Sequence, residues 1–129
     1  MIIDRNILII LFTSDFYKCY YALNLASTYQ ACNTNVTLFF SGYACNFLRN
    51  DWVKFDKKNF SKKFSKKKMT SYLDVFNLCL EIKVKFFYCD TAMNFLNLEH
   101  KDLMNTKKVV AMSLYEIINI HKNDKTIFI

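Results

Sequence analysis

Five short apolar runs constrain this chain more than any other feature. They are "NILIILFT" (6–13), "NVTLFF" (35–40), "KVKFFYC" (83–89), "KKVVAM" (107–112) and "KTIFI" (125–129). Most are apolar nearly throughout instead of alternating, the pattern of strands covered on both faces. Longer segments with helical spacing separate them. In 15–32, Phe16, Cys19, Tyr20, Leu23, Ala26 and Ala31 fall near one stripe, with Ser14 or Asp15 as cap. In 70–82, Thr70 or Ser71 precedes Leu73, Phe76 and Leu80, with Val75 or Cys79 also inward. In 113–122, Ser113 precedes Leu114, Ile117, Ile118 and His121, and Glu116 stands where a capping box needs it.

Strand and helix in alternation predict an α/β fold: a three-layer α/β/α sandwich around a mostly parallel five-stranded sheet. With 129 residues the chain fits one domain and is too short for an eightfold barrel. The final run ends at Ile129, which reads as a C-terminus that is itself core. At the other end, "MIIDRNILIILFTSDF" has an uninterrupted apolar run only from Ile7 to Phe12, behind Asp4 and Arg5. A membrane helix needs about 20 apolar residues and a signal peptide needs an uncharged core. Neither is written here, so the run is expected to be a buried strand and no transmembrane segment is expected.

The charge is concentrated. Net charge is +7, and residues 54–68, "KFDKKNFSKKFSKKK", hold eight of the 18 basic residues and one of the 11 acids. The remainder therefore balances at ten against ten. The segment reads as a Lys-rich insertion loop, with Trp52 at its border as an anchor to the domain or to a neighbouring subunit. Its Lys57, Lys58, Lys62, Lys63, Lys66, Lys67 and Lys68, interleaved with Phe55, Phe60 and Phe64, have the make-up of a nucleic-acid surface. An anionic membrane surface is a further functional reading, and a mobile, solvated insertion is the preferred one.

Five cysteines (Cys19, Cys32, Cys45, Cys79 and Cys89) are widely spaced, without a CxxC pair. That pattern suggests neither a zinc ribbon nor a thioredoxin-type pair and fits a reducing, cytoplasmic compartment. Cys89 stands apart because it closes a strand just before a polar turn. In open α/β sheets, working groups collect where strands end and helices begin. Backbone N–H groups there favour a thiolate, whereas the neighbouring Asp90 opposes one. Cys45, just past the second strand and Gly42, is a second candidate thiol on the same edge. Cys19 reads as packing near that edge, and Cys32 and Cys79 as structural. Thr13 and Ser14, in "TSDF", can offer a hydroxyl and N–H groups to an anion. That link has no glycine, so a flavin or nucleotide site is not expected. His100 and His121 are the only histidines, and neither adjoins Cys89 in sequence. No Ser-His-Asp or Cys-His arrangement is present, and no metal is expected.

The stretch "KVKFFYCDTAMNFLNLEHKDL" (83–103) resembles the signature of the DsrE/DsrF-like family of small sulfur-handling α/β proteins, including its peroxiredoxin-like branch. The matching residues are Cys89, Ala92, Met93, Phe95, Leu96, Asn97, Leu98, Asp102 and Leu103. "NVTLFFSGYACNFL" (35–48), "SYLDVFNLCLEIKVKFF" (71–87) and "TIFI" (126–129) are similar to other family segments. Asn97 replaces a glycine and Ala92 replaces a serine of that branch. Asn is the residue after glycine that best tolerates left-handed backbone, so the turn is expected to survive. The resemblance implies a sulfur carrier or sulfurtransferase with a persulfide on Cys89 and no cofactor. Gly42, Asp90, Met93 and His100 join Thr13 and Ser14 as candidate binding residues. It also implies a homo-oligomer (trimer or hexamer) or related subunits, and a sulfur donor or acceptor protein as partner. The alternatives are a non-catalytic adaptor or RNA-binding module using the lysine segment, and a relic in which Cys89 is buried and inert.

Overall fold

A computed structural model describes residues 5–129. Asp4, ahead of the first apolar run, lies outside the described residues. Strands β1 (Arg5–Leu11), β2 (Thr34–Phe40), β3 (Lys85–Cys89), β4 (Val109–Met112) and β5 (Lys125–Phe128) form one sheet in the order β4-β3-β2-β1-β5. Every neighbouring pair is parallel. The sheet is thus wholly parallel, as the unalternating apolar runs require.

Helices α1 (Phe16–Ala31) and α3 (Tyr72–Glu81) cover one face. Ile7, Ile9 and Leu11 of β1 point to that face, with Val36, Leu38 and Phe40 of β2 and Phe86 and Tyr88 of β3. Strands β1 to β4 advance in one direction across the sheet, and β5 returns to the far side of β1. Right-handed crossovers therefore put the helix before β5 on the opposite face. That helix is α5 (Leu114–Ile120), whose Ile117 packs on Leu8, Ile10 and Phe39. Two short helices complete the chain, α2 (Phe60–Lys66) and α4 (Asp90–Phe95), with 3-10 turns at Gly42–Leu48, Trp52–Phe55 and His100–Asp102.

Several caps follow the sequence reading. Asp15 caps α1 by accepting from the Lys18 N–H, and Ser71 caps α3 by accepting from Asp74. Ser113 and Glu116 form the expected capping box on α5. The helix ends are less usual, because Gly42 is the only glycine. Lys68, Lys83 and Asn97 take the left-handed position after α2, α3 and α4, and Asn33 takes it after α1. At Asn97 the N–H donates to the Asn94 carbonyl at 3.1 Å and the Leu98 N–H to the Met93 carbonyl at 2.9 Å. This Schellman closure is the turn that Asn was expected to support. Lys83, at φ 75°, closes α3 in the same way with a less suitable residue. Left-handed backbone costs an L-residue about 1–2 kcal/mol, and glycine returns part of that gain through its freer unfolded chain. Lys83→Gly should therefore stabilise the fold by roughly 0.5–1 kcal/mol. A thermal midpoint that stays level or falls would contradict this.

Four sequence expectations need correction. Leu73 is exposed, because α3 starts at Tyr72 and buries the stripe Tyr72, Val75, Phe76, Cys79 and Leu80. Ala31 is exposed at the end of α1. Leu114 and Ile118 are also exposed, since a seven-residue helix seats only Ile117 on its face of the sheet. The C-terminal strand is an edge and not core: Phe128 is 72% exposed, and only Ile127 and Ile129 pack partly against the interior.

The lysine segment also departs from a loop. Residues 60–66 are helical, and Phe64 is 3% exposed, packed on Phe16, Tyr17 and Tyr20. The carboxylate of Asp56 is buried and accepts from the N–H groups of Phe60 (2.9 Å) and Ser61 (2.8 Å), which starts the helix. Trp52 is buried and stacks on Phe16 at 5.5 Å, so it does anchor the segment to the domain.

Candidate functional site

Cys89 is the last residue of β3 and the N-cap of α4. Strand alternation turns Phe86 and Tyr88 toward α1 and α3, and Phe87 and Cys89 toward α5. The α5 face is thinly covered, and beside the thiol it opens into an apolar groove of about 1000 Å³. Ile10 and Phe39 line it from the sheet, Phe95 from α4, and Leu114 and Ile118 from α5. Phe12 and Phe128, which follow or end the two strands at the switch in strand order, form its outer wall. The groove therefore lies at the carboxyl edge of the sheet, where the crossovers change direction. Among the described residues no histidine, carboxylate side chain or lysine lines it; Ser41, Tyr43 and Thr91 bring hydroxyls, and Cys89 is its only thiol. Among the described residues no three His, Cys, Asp or Glu side chains gather as metal ligands.

Gly42 shapes one side. It has φ 53°, and a Cβ there would stand 2.7 Å from the Phe12 ring. Only glycine meets both conditions, so Phe12 can lie over the turn that leaves β2.

Cys45 sits in the turn below Cys89, fully buried, and its thiol donates to the Phe40 carbonyl at 3.3 Å. Burial pushes this thiol up to about 12, and the nearby Cys89 adds to the effect. The backbone N–H groups of Cys89 and of Cys45 itself act in the other direction. Cys45 is thus adjacent to Cys89 but outside the groove. Burial likewise pushes Cys19 and Cys79 up to about 12, so neither is a nucleophile near neutral pH. The linkage has a definite sign. These thiols hold their protons more tightly in the folded state than in the unfolded chain. Their stabilisation is therefore complete below the ordinary value of 9.0 and is lost as pH climbs toward 12. The thermal midpoint should fall across that interval; a profile flat from pH 9 to 12 would contradict the burial of the three thiols. Cys32, by contrast, is exposed at the far end of α1, on the opposite edge of the sheet.

The candidate binding residues separate. Gly42 lines the groove with Cys89. Ser14 lines a smaller neighbouring cavity. Thr13 accepts from the Asp15 N–H at 3.0 Å and belongs to the entry of α1. Asp90 is exposed, and its carboxylate accepts from the Thr91 N–H at 2.8 Å. Met93 is buried on the α1 side. His100 is occupied elsewhere: its Nε2 donates to the Thr106 carbonyl at 2.7 Å, leaving Nδ1 as acceptor for the Tyr88 hydroxyl, also at 2.7 Å. Burial raises the Tyr88 hydroxyl, helped by nearby Cys45 and Asp90. The remaining histidine, His121, pairs with Asp124 at 3.0 Å after α5.

All seven candidate lysines of the basic segment are exposed, while Phe64 is buried and Phe55 and Phe60 pack partly against the core. The segment offers charge without free aromatic faces on which bases could stack.

Sequence reasoning missed Phe12, Tyr43, Phe95, Leu114, Ile118 and Phe128 as parts of one groove. The available signal was the aromatic residue at or just past the end of several strands.

A wholly parallel α/β/α sheet with a half-exposed cysteine at its carboxyl edge defines the class. The chain belongs to the DsrE/DsrF-like family, whose sequence profile matches residues 6–128. Among solved structures it is similar to MTH1491 from Methanobacterium thermoautotrophicum, a protein of unknown function. The TM-score is 0.69 at 15% identity, over 98% of this chain and 100% of that one. The ychN protein from E. coli gives 0.69 at 14% identity, over 98% and 100%. BT1422 from Bacteroides thetaiotaomicron, a conserved protein of unknown function, gives 0.64 at 11%, over 95% and 94%. No curated protein sequence matches it. Among the described residues no helix is long and apolar enough to cross a membrane.

Proposed function

We propose that this protein is a sulfur carrier that holds a persulfide on Cys89. The observation that carries this reading is the placement of one accessible thiol in an apolar groove with no second thiol and no histidine, lysine or carboxylate side chain among the described residues that line it. Sulfur relay needs little more. The thiolate attacks a donor persulfide, keeps the outer sulfur, and yields it to the next thiol. An apolar wall suits a group that must wait between transfers, because it limits access of water and of stray thiols. Membership of the DsrE/DsrF-like family supports the same chemistry.

The rim of the groove also supports assembly. Phe12, Phe95 and Phe128 are 66%, 68% and 72% exposed around it. Such a cluster is larger than scattered surface apolar residues and favours cover by another subunit. Trimers, hexamers and mixed assemblies with related subunits all meet that need. A cytoplasmic location fits a carrier that works with free thiols.

The reading is tested by mapping sulfur. The protein is exposed briefly to a sulfane-sulfur donor, blocked with an alkylating agent and digested without reductant. One added sulfur on the Cys89 peptide is expected. Sulfur on the Cys32 peptide alone, or on none, would overturn the reading.

A further inference from the structure

A second cavity of about 290 Å³ adjoins the Cys89 groove, and Tyr43 lines both. The Tyr43 ring meets Phe95 edge-on at 6.0 Å, so these two side chains form the ridge between them. The chemistry changes across that ridge. The large groove is apolar, whereas Ser14, Asn46, Arg49 and Lys57 line the small cavity.

Asn46 is the informative residue. It is 7% exposed, yet only one end of its amide is used: Oδ1 accepts from Arg49 Nη1 at 3.4 Å. Among the described residues its Nδ2 has no partner, and it is not sealed from solvent, so it is free to donate at the cavity. Arg49 is fixed by Asp51, at 2.6 Å from Nε and 3.1 Å from Nη2, and lies over the Phe55 ring at 4.8 Å. Lys57 is exposed and forms no ion pair among the described residues. Residues that bring an unpaired amide, a hydroxyl and a free ammonium thus line one cavity, and no Asp or Glu is among the described residues of its wall.

We infer that this cavity binds the carboxylate of a low-molecular-weight persulfide whose sulfur end lies over Tyr43 in the Cys89 groove. This inference rests on the carrier reading and names the class of its donor. Asn46 Nδ2 and Ser14 Oγ donate to the carboxylate, and Lys57 supplies the counter-charge. In the transfer, the Cys89 thiolate attacks the outer sulfur of R–S–SH. A new S–S bond forms to Cys89 and the donor's own S–S bond breaks. The electron pair leaves with R–S⁻ and the proton stays on the transferred sulfur. No oxidant or reductant is consumed.

Two measurements test this. The first titrates S-methylglutathione, a carboxylate-bearing thioether that cannot transfer sulfur, into Cys89→Ser protein by calorimetry or NMR. Lys57→Glu should weaken binding by about tenfold, more than the loss of one exposed contact because the charge is reversed. Lys66→Glu, the same charge change elsewhere on the segment, should leave it nearly unchanged. The second follows sulfur loading of Cys89 by glutathione persulfide and by a simple alkyl persulfide that carries no carboxylate. Lys57→Glu should slow only the first donor. Equal losses in both lysine variants would mean unspecific attraction and would overturn the subsite, as would no loss in either. If neither donor loads Cys89 while binding still depends on Lys57, the subsite stands and the carrier reading falls.

Discussion

Phe64→Ala should cost about 3–5 kcal/mol, the usual range for removing a buried aromatic ring. For a chain of this size that is roughly 10–20 °C in thermal midpoint. The expectation follows from where the ring lies. Phe64 is 3% exposed and meets Tyr20 at 4.3 Å, Tyr17 at 5.5 Å and Phe16 at 6.3 Å. It joins the lysine segment to the start of α1, beside the groove's carboxyl edge. The variant should also become sensitive to trypsin within residues 57–68, because α2 would lose its one buried anchor. An unchanged midpoint together with unchanged cleavage would mean that the segment is not docked through Phe64.

The same segment marks where sequence reading ended. Eight lysines in 15 residues carry a strong signal of solvation, and it masks the helical spacing of Phe60 and Phe64. The cap is equally hard to see, because Asp56 reaches the helix from three residues ahead of Asn59. The sheet was far easier. Five apolar runs without alternation specify buried parallel strands, and the caps at Asp15, Ser71 and Ser113 fix where the main helices start. The order of the strands was not legible: handedness and short connections agree with β4-β3-β2-β1-β5 but do not select it.

The site was legible only in part. Cys89 is recognisable because it closes a strand, and Gly42 because it is the single glycine. The groove is not recognisable, since its walls come from β1, β5, α4, α5 and the turn after β2. Local spacing carries no information about such long-range contacts. His100 illustrates the converse. It is near Cys89 in sequence, yet the preceding residue of β3, Tyr88, takes its Nδ1 on the opposite face of the sheet. A shift of one residue along a strand reverses the face, and with it the chemistry. Exposure decided the cysteines as well. Cys32, read as structural, is exposed, while Cys45 lies beside Cys89 and is sealed.

Cys89→Ser has the largest expected effect on function, because it removes the one thiol that opens into the groove. Serine keeps the size and the strand-to-helix turn, so the fold should persist. What disappears is a nucleophile that can carry a sulfane sulfur. Cys45 cannot replace it, since its thiol is buried and held up at about 12. Cys32 can react with a donor because it is exposed, and it is therefore changed to serine in both proteins. The deciding measurement is the intact mass of Cys32→Ser and Cys32→Ser/Cys89→Ser proteins after brief exposure to a sulfane-sulfur donor under non-reducing conditions. The account predicts a gain of one sulfur, reversed by reductant, in the first protein and no gain in the second. Equal gains in both, or none in either, would contradict a persulfide on Cys89.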